Sequence, residues 1–418
     1  MTLFTLSVAA LISYFSLVSR APPAKALDDG VGRLPFMGYN TWNAYHCDIN
    51  ETVIMQNAQL LVDLGLRDVG YTYMNIDDCY PEKERNANGD IVVNATRFPS
   101  GMRNVTDRIH DLGLKAGIYS DSGWFTCQLY PGSFQNEDRD LRLFREEWNF
   151  DLLKYDNCAV PFDEVIKEGM NSLAWPTRSQ DSRKKLEENL FFFHFASGEG
   201  NNRGSGLDDL GKAGENSFIT WASDFYGHND MDILEVGNEG LSFEEAKTHF
   251  TAWAFLKSPL LIGTNLPTVT NETLEIFKNT EIIAINQDDV VGTAVSPFRW
   301  GVNPDWTFDS VRPAQYWSGE SQNGTIFMLI NVLDESADMS FNLTESPWIR
   351  AGRQYSVRDL WTHTDNGTAV RSFTAHAVPA HGVVALLLKD AGDEPAGTQP
   401  PCARPEWCMD QNGTRIDQ

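Results

Sequence analysis

The sequence predicts an α/β fold, a TIM (β/α)8 barrel followed by a C-terminal antiparallel β-sandwich domain. The 418 residues suit a barrel of roughly 250 residues and a smaller second domain. From Leu34 to Asp289 short apolar runs alternate with amphipathic stretches, the pattern of repeated β-α units. After Val302 short alternating strands are separated by Gly and Asn, which is typical of an antiparallel domain. The chain length favours an eightfold barrel over a doubly wound sheet.

The elements of the barrel are predicted from apolar spacing. Ile54, Ala58, Leu61 and Leu64 recur at helical spacing, and Ser242 is a helix N-cap with Glu244 and Glu245 in the first turn. The helix capped by Ser242 is predicted to run through Phe255. Further helices are predicted at Val105–Leu112 and Leu141–Trp148. Strands are predicted at Tyr71–Ile76, Lys115–Ser120, Asp151–Tyr155, Pro259–Gly263 and Ile282–Ile285.

The C-terminal domain is predicted from four alternating runs. These are Thr325–Val332, Asp338–Leu343, Val370–Ala375 and Gly382–Leu388. The expected organisation is a signal peptide at 1–26, a catalytic barrel at 27–300, an antiparallel β domain at 301–390 and a tail at 391–418. The tail is rich in Pro, Gly and Asp, and Cys402 and Cys408 are expected to close a small loop in it.

The first residues predict secretion to the extracellular space. An apolar run from Leu3 to Val18 precedes a cleavage signal at Ala24–Ala26, and a signal peptide is favoured over a membrane anchor because no other long apolar run follows. Asn-x-Ser/Thr glycosylation signals support secretion. They lie at Asn50, Asn94, Asn104, Asn271, Asn323, Asn342, Asn366 and Asn412.

The six cysteines and the acidic net charge limit which cofactors and partners the chain can have. An even cysteine count in a secreted chain predicts disulfides, the alternative being free buried thiols. No CxxC pair or histidine cluster indicates zinc, so neither a metal nor an organic cofactor is expected. The net charge of −25 argues against nucleic-acid and anionic-membrane partners and is more simply explained by solubility outside the cell.

Acidic residues recur where predicted strands end, namely at Asp77, Asp78, Asp121, Asp156 and Asp288. In a barrel these ends form the active-site face, where carboxylates bind sugar hydroxyls or perform acid–base chemistry. Aspartate is also common in turns for purely structural reasons. That explanation is weaker for Asp156, because strand alternation places it on one face with Lys154. A neighbouring cation keeps a carboxylate ionised, as a nucleophile requires.

Seven ordered motifs resemble glycoside hydrolase family 27, the retaining α-galactosidases and α-N-acetylgalactosaminidases. The motifs are Met37–Asn43 (MGYNTWN), Asn75–Cys79 (NIDDC), Gly117–Asp121 (GIYSD), Leu153–Cys158 (LKYDNC), His228–Asn238 (HNDMDILEVGN), Lys257–Gly263 (KSPLLIG) and Ala284–Asp288 (AINQD). The resemblance covers most of residues 34 to 390. It implies the same barrel and β domain, with an oligosaccharide or polysaccharide as substrate.

The resemblance also implies the site residues. It assigns Asp156 as nucleophile and gives disulfides Cys47–Cys79 and Cys127–Cys158. Galactose hydroxyls would be bound by Asp77 and Asp78, in a pocket lined by Tyr119 and Lys154. Tyr39 stands where many family members have a tryptophan that stacks on the sugar. Trp42 is the alternative platform, or a core residue.

The acid/base residue expected by resemblance is missing from the sequence. Family members have a Cys-Glu-Trp sugar-recognition loop and then an Asp shortly after an Arg, and neither occurs between Cys158 and Glu215. Asp209 is the only local substitute as proton donor. Asp224 and Asp230 are weaker candidates and are expected to be structural.

Residues 171–215 read differently in another frame. When the third base of each codon joins the first two of the next, permitted codons encode a continuous family-like segment of about 40 residues. Phe195–Glu199 then yields Cys-Glu-Trp-Gly. We therefore expect a frame-shifted segment here, and the segment bearing the acid/base Asp to be lost before Asn216. A transcript that matches the 418-residue sequence would contradict this.

The function predicted is a retaining α-galactosidase that removes terminal α-galactose from galacto-oligosaccharides and galactomannan. The shifted-frame Cys-Glu-Trp favours galactose over N-acetylgalactosamine, because acetamido-accepting members carry smaller residues in that loop. A second class of function also stays open, a catalytically impaired galactose-binding protein, since the acid/base segment is missing.

Overall fold

A computed structural model of the chain describes residues 30–161, 191–194, 217–309 and 311–396 and the single positions 409, 412 and 414. The predicted signal peptide, Asp209, most of the segment 171–215 and the pair Cys402 and Cys408 lie outside the described residues. Among the described helices, none is long and apolar enough to cross a membrane.

In the described part of the chain, six parallel strands form the sheet of the first domain. In chain order they are β1 (Met37–Asn40), β2 (Tyr73–Ile76), β3 (Lys115–Asp121), β4 (Leu152–Asp156), β5 (Phe191–His194) and β6 (Leu260–Ile262). Their order in the sheet is β5-β4-β3-β2-β1-β6. A parallel bridge from Leu234 to Ile262 extends the sheet beyond β6. The parallel α/β architecture expected from the sequence is therefore present.

Helices cover the outer face of this sheet. They are α1 (Trp42–Tyr45), α2 (Glu51–Asp63), α3 (Met102–Asp111), α4 (Glu137–Arg142), which continues as a π-helical turn at Leu143–Glu147, α5 (Phe243–Phe255), α6 (Asn271–Phe277) and α7 (Thr280–Asn286). The predicted cap of α5 is confirmed, since the Ser242 side chain accepts a hydrogen bond from the Glu245 backbone N–H in a capping box.

One predicted strand is wrong, because Ile282–Ile285 lies within the helix α7. The Asn279 side chain accepts hydrogen bonds from the backbone N–H groups of Glu281 and Ile282 and so caps this helix. A short apolar run does not distinguish a buried strand from a buried helix. The cap three residues earlier is the local signal that does.

Eight antiparallel strands form the second domain. They are β7 (Ser296–Arg299), β8 (Tyr316–Ser321), β9 (Gly324–Ile330), β10 (Ala337–Asn342), β11 (Arg353–Asp359), β12 (Thr364–Val370), β13 (Ser372–Val378) and β14 (Val383–Asp393), in the order β10-β13-β12-β11-β14-β9-β8-β7. The predicted single strand Val370–Ala375 is wrong. The chain turns at Arg371, which has φ +65°, and the run is divided between two strands.

The antiparallel sheet uses its two faces differently. Ala385 and Leu387 of β14 join the large core that also contains the barrel helices. Leu386 and Leu388 point to a separate cluster with Phe327, Phe341 and other residues. Because alternate residues of a strand face opposite sides, one face of the sheet anchors the second domain to the barrel and the other face builds its own core.

His381 connects the two domains. Its ring nitrogens lie 2.9 Å from Glu245 Oε1 on α5 and 3.0 Å from Asp334 Oδ1, and its carbonyl accepts a hydrogen bond from Thr248. We expect His381→Ala to lower the free energy of unfolding by about 1–2 kcal/mol, because a partly buried set of hydrogen bonds is lost. Urea denaturation measures this.

The matched control is His376→Ala. His376 also pairs with a carboxylate, that of Asp338, but its side chain is 75% exposed. Exposed ion pairs contribute little, so this variant should stay within about 0.5 kcal/mol of the wild type. Equal effects of the two variants would mean that His381 does not hold the domains together.

Candidate active site

The candidate site lies at the carboxyl ends of β1 to β4. Alternation along β4 sends Leu153 and Tyr155 into the core shared with the helices, and Leu152 into a separate cluster inside the sheet. Lys154 therefore shares the inner face with Leu152 and Asp156. In the β3–β4 pairing Tyr119 lies opposite Lys154 and Asp121 lies opposite Asp156. The sequence thus brings two rows of polar side chains to one end of the sheet.

Lys154 and Asp77 form a buried ion pair at the centre of the site. The Lys154 ammonium donates to Asp77 Oδ2 at 2.6 Å, and the two side chains are only 6% and 3% exposed. Asn40 also donates to this oxygen, at 2.7 Å. Burial alone would favour the neutral amine, but the nearby carboxylates of Asp77, Asp232 and Asp156 outweigh it and raise the pKa of Lys154.

Asp156 is half-buried, and its carboxylate accepts hydrogen bonds from two donors. The Tyr119 hydroxyl donates to Oδ2 at 3.0 Å, and the Asn157 backbone N–H donates to Oδ1 at 2.9 Å. Burial, reinforced by the Asp156 charge, raises the pKa of Tyr119, so the phenol keeps the proton that it donates. The two donors thus hold both oxygens of the Asp156 carboxylate in place at the end of β4.

The Asp78 carboxylate binds backbone N–H groups. It accepts from the N–H groups of Cys79 at 2.7 Å and Gln128 at 3.1 Å. Burial raises the pKa of Asp78 to about 6. Asp78 therefore supports the neighbouring loop, whereas the partners of Asp77 are the side chains of Lys154 and Asn40.

Asp121 has a similar supporting position at the end of β3. It accepts hydrogen bonds from the backbone N–H groups of Gly123 at 2.6 Å and Cys158 at 2.8 Å. Burial raises its pKa to about 6 from the ordinary 3.8. A carboxyl with a raised pKa binds its proton more tightly in the folded state. Its contribution to stability is thus full below pH 3.8 and is lost as pH rises through about 6.

This sign gives a testable pH dependence. Asp121→Asn removes the titrating group. The unfolding free energy of the variant should therefore fall less between pH 4 and pH 6 than that of the wild type. Urea denaturation at several pH values measures the slope. Asp138→Asn is the control. The Asp138 carboxylate is exposed, so its removal should leave the slope unchanged. An Asp121→Asn slope equal to that of the wild type would contradict the assignment.

The two aromatic candidates take different places. Trp42 packs against the inner cluster of Phe36, Leu152, Ile233 and Leu261 and is partly exposed, as a sugar-stacking platform requires. Tyr39 is fully buried in the core shared with the helices. The expected stacking role of Tyr39 is therefore not supported, because alternation along β1 directs Asn40, and not Tyr39, toward Asp77.

Asp288 does not lie at the strand-end site predicted for it. It follows α7, and its carboxylate accepts from the backbone N–H groups of Val290 and Val291 at 2.9 Å and of Gln322 at 2.7 Å. These contacts attach the end of the barrel to the β8–β9 hairpin. The prediction was wrong because it depended on a strand at Ile282–Ile285.

Asn40 and Asp232 belong to the site although sequence reasoning gave neither a role. Asp232 is close enough to Lys154 to raise its pKa and has the left-handed φ of +77°, which is uncommon outside glycine and frequent at functional sites. Both residues lie within quoted motifs. Asp230 and Asp224 accept hydrogen bonds from backbone N–H groups of nearby residues.

The two disulfides expected by resemblance are present. Cys47 is bonded to Cys79 and Cys127 to Cys158. In the described part of the chain one cluster combines enough carboxylates and sulfurs for a metal, formed by Asp121, Cys127, Asp156 and Cys158. Because both sulfurs are in a disulfide, this cluster lacks the thiolates that bind metals.

A parallel barrel with these carboxylates and a buried lysine at its strand ends, followed by an antiparallel β domain, defines the class of (β/α)8 glycoside hydrolases. The family model described as Alpha galactosidase A matches residues 34–181 and 212–288. A second family model, described as Alpha galactosidase C-terminal beta sandwich domain, matches residues 311–388. The chain belongs to this α-galactosidase family.

Relatives and solved structures agree with this assignment. Proteins named "Probable alpha-galactosidase B" from Penicillium simplicissimum and Aspergillus clavatus are 36% and 38% identical, over 91% and 93% of this chain and 100% and 99% of their own. The structure of α-galactosidase I from Mortierella vinacea has a TM-score of 0.74 at 30% identity, over 88% of this chain and all of that one. A Saccharomyces cerevisiae α-galactosidase structure with raffinose shares the fold, with a TM-score of 0.72 at 24% identity, over 87% of this chain and 99% of that one.

Proposed function

We propose that this chain is a retaining α-galactosidase that acts on terminal α-galactosides of oligosaccharides and galactomannan. The observation that carries the proposal is the arrangement around Lys154. One buried ammonium neutralises Asp77, and a tyrosine and a backbone N–H stabilise the Asp156 carboxylate. The pocket thus offers a hydroxyl-binding group and a nucleophile side by side.

In the proposed reaction Asp156 attacks the anomeric carbon, the bond to the leaving oxygen breaks, and that oxygen takes up a proton from the acid/base residue or from water. This forms a covalent galactosyl-enzyme, which water then hydrolyses with retention of configuration. Asp77, Asp78, Lys154 and Asn40 bind the galactose hydroxyls. Tyr119 holds the Asp156 carboxylate in position through its hydroxyl.

The stereochemistry of the first product tests the proposal. Proton NMR of the reaction with α-galactosyl fluoride should show α-galactose before mutarotation. Fluoride needs little acid assistance as a leaving group, so formation of the galactosyl-enzyme does not depend on the proton donor, whereas its hydrolysis uses the same residue as general base and is slow without it. β-Galactose as first product would exclude a nucleophilic role of Asp156. Absence of fluoride release, even as a single burst, with galactose still bound, would favour the galactose-binding alternative.

We also propose that residues 171–215 are encoded in a shifted frame and that the acid/base segment is lost near Asn216. Two observations support this. The match to the family model is interrupted from residue 182 to 211. The alignment with the Penicillium simplicissimum protein extends over 436 positions but covers 91% of this 418-residue chain, or about 380 residues, so about 56 positions have no counterpart here.

Comparison of α-galactosyl fluoride with melibiose separates these possibilities. A chain without its proton donor should release fluoride in a burst and then turn over slowly, because the base for hydrolysis is also missing, and it should hardly cleave melibiose, whose sugar leaving group needs protonation. Sequencing the transcript supplies the direct test. A transcript that encodes the present 418 residues, with full activity on melibiose, would refute the frame proposal.

An extracellular, glycosylated form is proposed as well. Disulfides form in oxidising compartments, and six of the glycosylation signals lie on exposed residues, at Asn104, Asn271, Asn323, Asn342, Asn366 and Asn412. Secretion from a eukaryotic host should give protein whose mass falls on treatment with an N-glycosidase. Protein retained in the cell without glycans would contradict this.

A further inference from the structure

Three large apolar side chains are exposed on the loop of residues 122–134, which follows β3 and is here named the rim loop. Trp124 is 47% exposed, Phe125 49% and Leu129 68%. Such a group of exposed apolar residues in a soluble protein commonly marks a binding surface. The rim loop belongs to the active-site end of the barrel. It follows directly on β3, and it contacts the chain at the end of β4.

The rim loop is attached to the chain that carries the nucleophile. The Ser122 backbone N–H donates to the carbonyl of Asp156 at 2.8 Å, and that of Trp124 donates to the carbonyl of Ala159 at 3.1 Å. The Cys127–Cys158 disulfide joins the same two segments. Trp124 and Phe125 are therefore held at a fixed place beside the catalytic pocket.

Further contacts fix the tip of the rim loop. Asp78 accepts from the Gln128 N–H at 3.1 Å, and the Lys83 ammonium donates to the Gln128 carbonyl at 2.7 Å. The Trp124 ring packs edge-on against Phe134, with centroids 4.6 Å apart, so that about half of the indole stays accessible. Rigid, half-exposed aromatic rings bind with little loss of conformational entropy.

The geometry of the proposed reaction restricts what can contact these rings. Asp156 attacks from the side opposite to the leaving oxygen, so the sugar bonded directly to that oxygen departs away from the Asp156 side. Groups that reach the rim loop must belong to a larger substrate that crosses the mouth of the pocket. A polysaccharide main chain that carries galactose as side branches has this form.

The net charge of the protein indicates which polysaccharides can approach the rim loop. With a net charge of −25 the protein repels anionic polysaccharides at long range, whereas a neutral polymer is not affected. The apolar C–H faces of pyranose rings stack on aromatic side chains. We propose that Trp124 and Phe125 form a platform for the main chain of a neutral, galactose-branched polysaccharide. This inference rests on the proposed function and adds a second contact outside the galactose pocket.

The test compares binding of a polymer with binding of the free sugar. Galactomannan affinity is measured by gel electrophoresis in polymer-containing gels, and galactose affinity by calorimetry. W124A/F125A should weaken galactomannan binding roughly three- to tenfold, the size expected for losing aromatic contacts. Galactose affinity should change less than twofold. The single variant Trp124→Tyr keeps a ring and should retain most of the polymer affinity.

Trp348→Ala is the matched control, because Trp348 is similarly exposed, at 43%, but lies in the second domain. It should leave both affinities unchanged. Wild-type galactomannan affinity in W124A/F125A would overturn the platform while the proposed function stands. An equal loss of galactose affinity would also overturn it, since the loop would then act through the pocket. Failure of the wild type to bind either sugar would overturn the platform and the proposed function together.

Discussion

Asp156→Gly should reduce turnover of α-galactosyl fluoride by at least about a thousandfold, since it removes the group proposed to form the covalent intermediate. The carboxylate is half-buried and accepts from the side chain of Tyr119 and the backbone of Asn157. Its removal leaves the Lys154–Asp77 pair intact. Galactose binding and the free energy of unfolding should therefore change little, and the loss should fall on kcat.

Azide provides the control for this variant. The space left by the carboxylate admits azide, which can attack the anomeric carbon from the same side and displace fluoride. The expected product is β-galactosyl azide, identified by NMR, and its formation should restore turnover. The exposed variant Asp138→Asn should retain wild-type rates. Undiminished activity of Asp156→Gly, or an α-azide, would show that Asp156 is not the nucleophile.

Lys154→Met should lower the free energy of unfolding by about 3–5 kcal/mol, because it leaves the Asp77 carboxylate buried without its partner charge. The two side chains are 6% and 3% exposed, so water cannot replace the lost ammonium. Asn40 remains as a donor to Asp77 but carries no charge. Galactose affinity should also fall, since the hydroxyl-binding pair is broken. Urea denaturation and calorimetry measure the two effects.

The double variant Lys154→Met/Asp77→Asn separates these effects. Replacing both charges removes the unpaired carboxylate, so most of the lost stability should return. Galactose affinity should not return, because neither sugar-binding group is restored. A single variant within about 1 kcal/mol of the wild type would contradict the view that this pair is a buried ionic centre. Recovery of galactose binding by the double variant would exclude both residues from the pocket.

The fold and the centre of the site could be predicted because they depend on local periodicity. Lys154 and Asp156 are two residues apart on a strand, and any parallel barrel places such residues on one face at its active end. Asp77 follows from the same rule.

The misassigned residues depend on information that periodicity does not contain. Whether Tyr39 or Asn40 faces the pocket is decided by the register of β1 against its neighbours, and a shift of one residue reverses the answer. Ile282–Ile285 was assigned to a strand because a four-residue apolar run fits both structures, and the error for Asp288 followed from it. Asp232 adopts a left-handed backbone conformation in a loop, a position that no repeat pattern indicates.

The most direct test of the central claim is to trap the covalent intermediate. A fluorine-substituted galactosyl fluoride that is transferred to the enzyme faster than it is hydrolysed should add one galactosyl group per chain. After reduction and tryptic digestion the label should lie on the peptide that begins at Tyr155, and fragmentation should place it on Asp156. A label on another residue, or on no residue while the fluoride is consumed, would contradict the assignment of Asp156 as nucleophile.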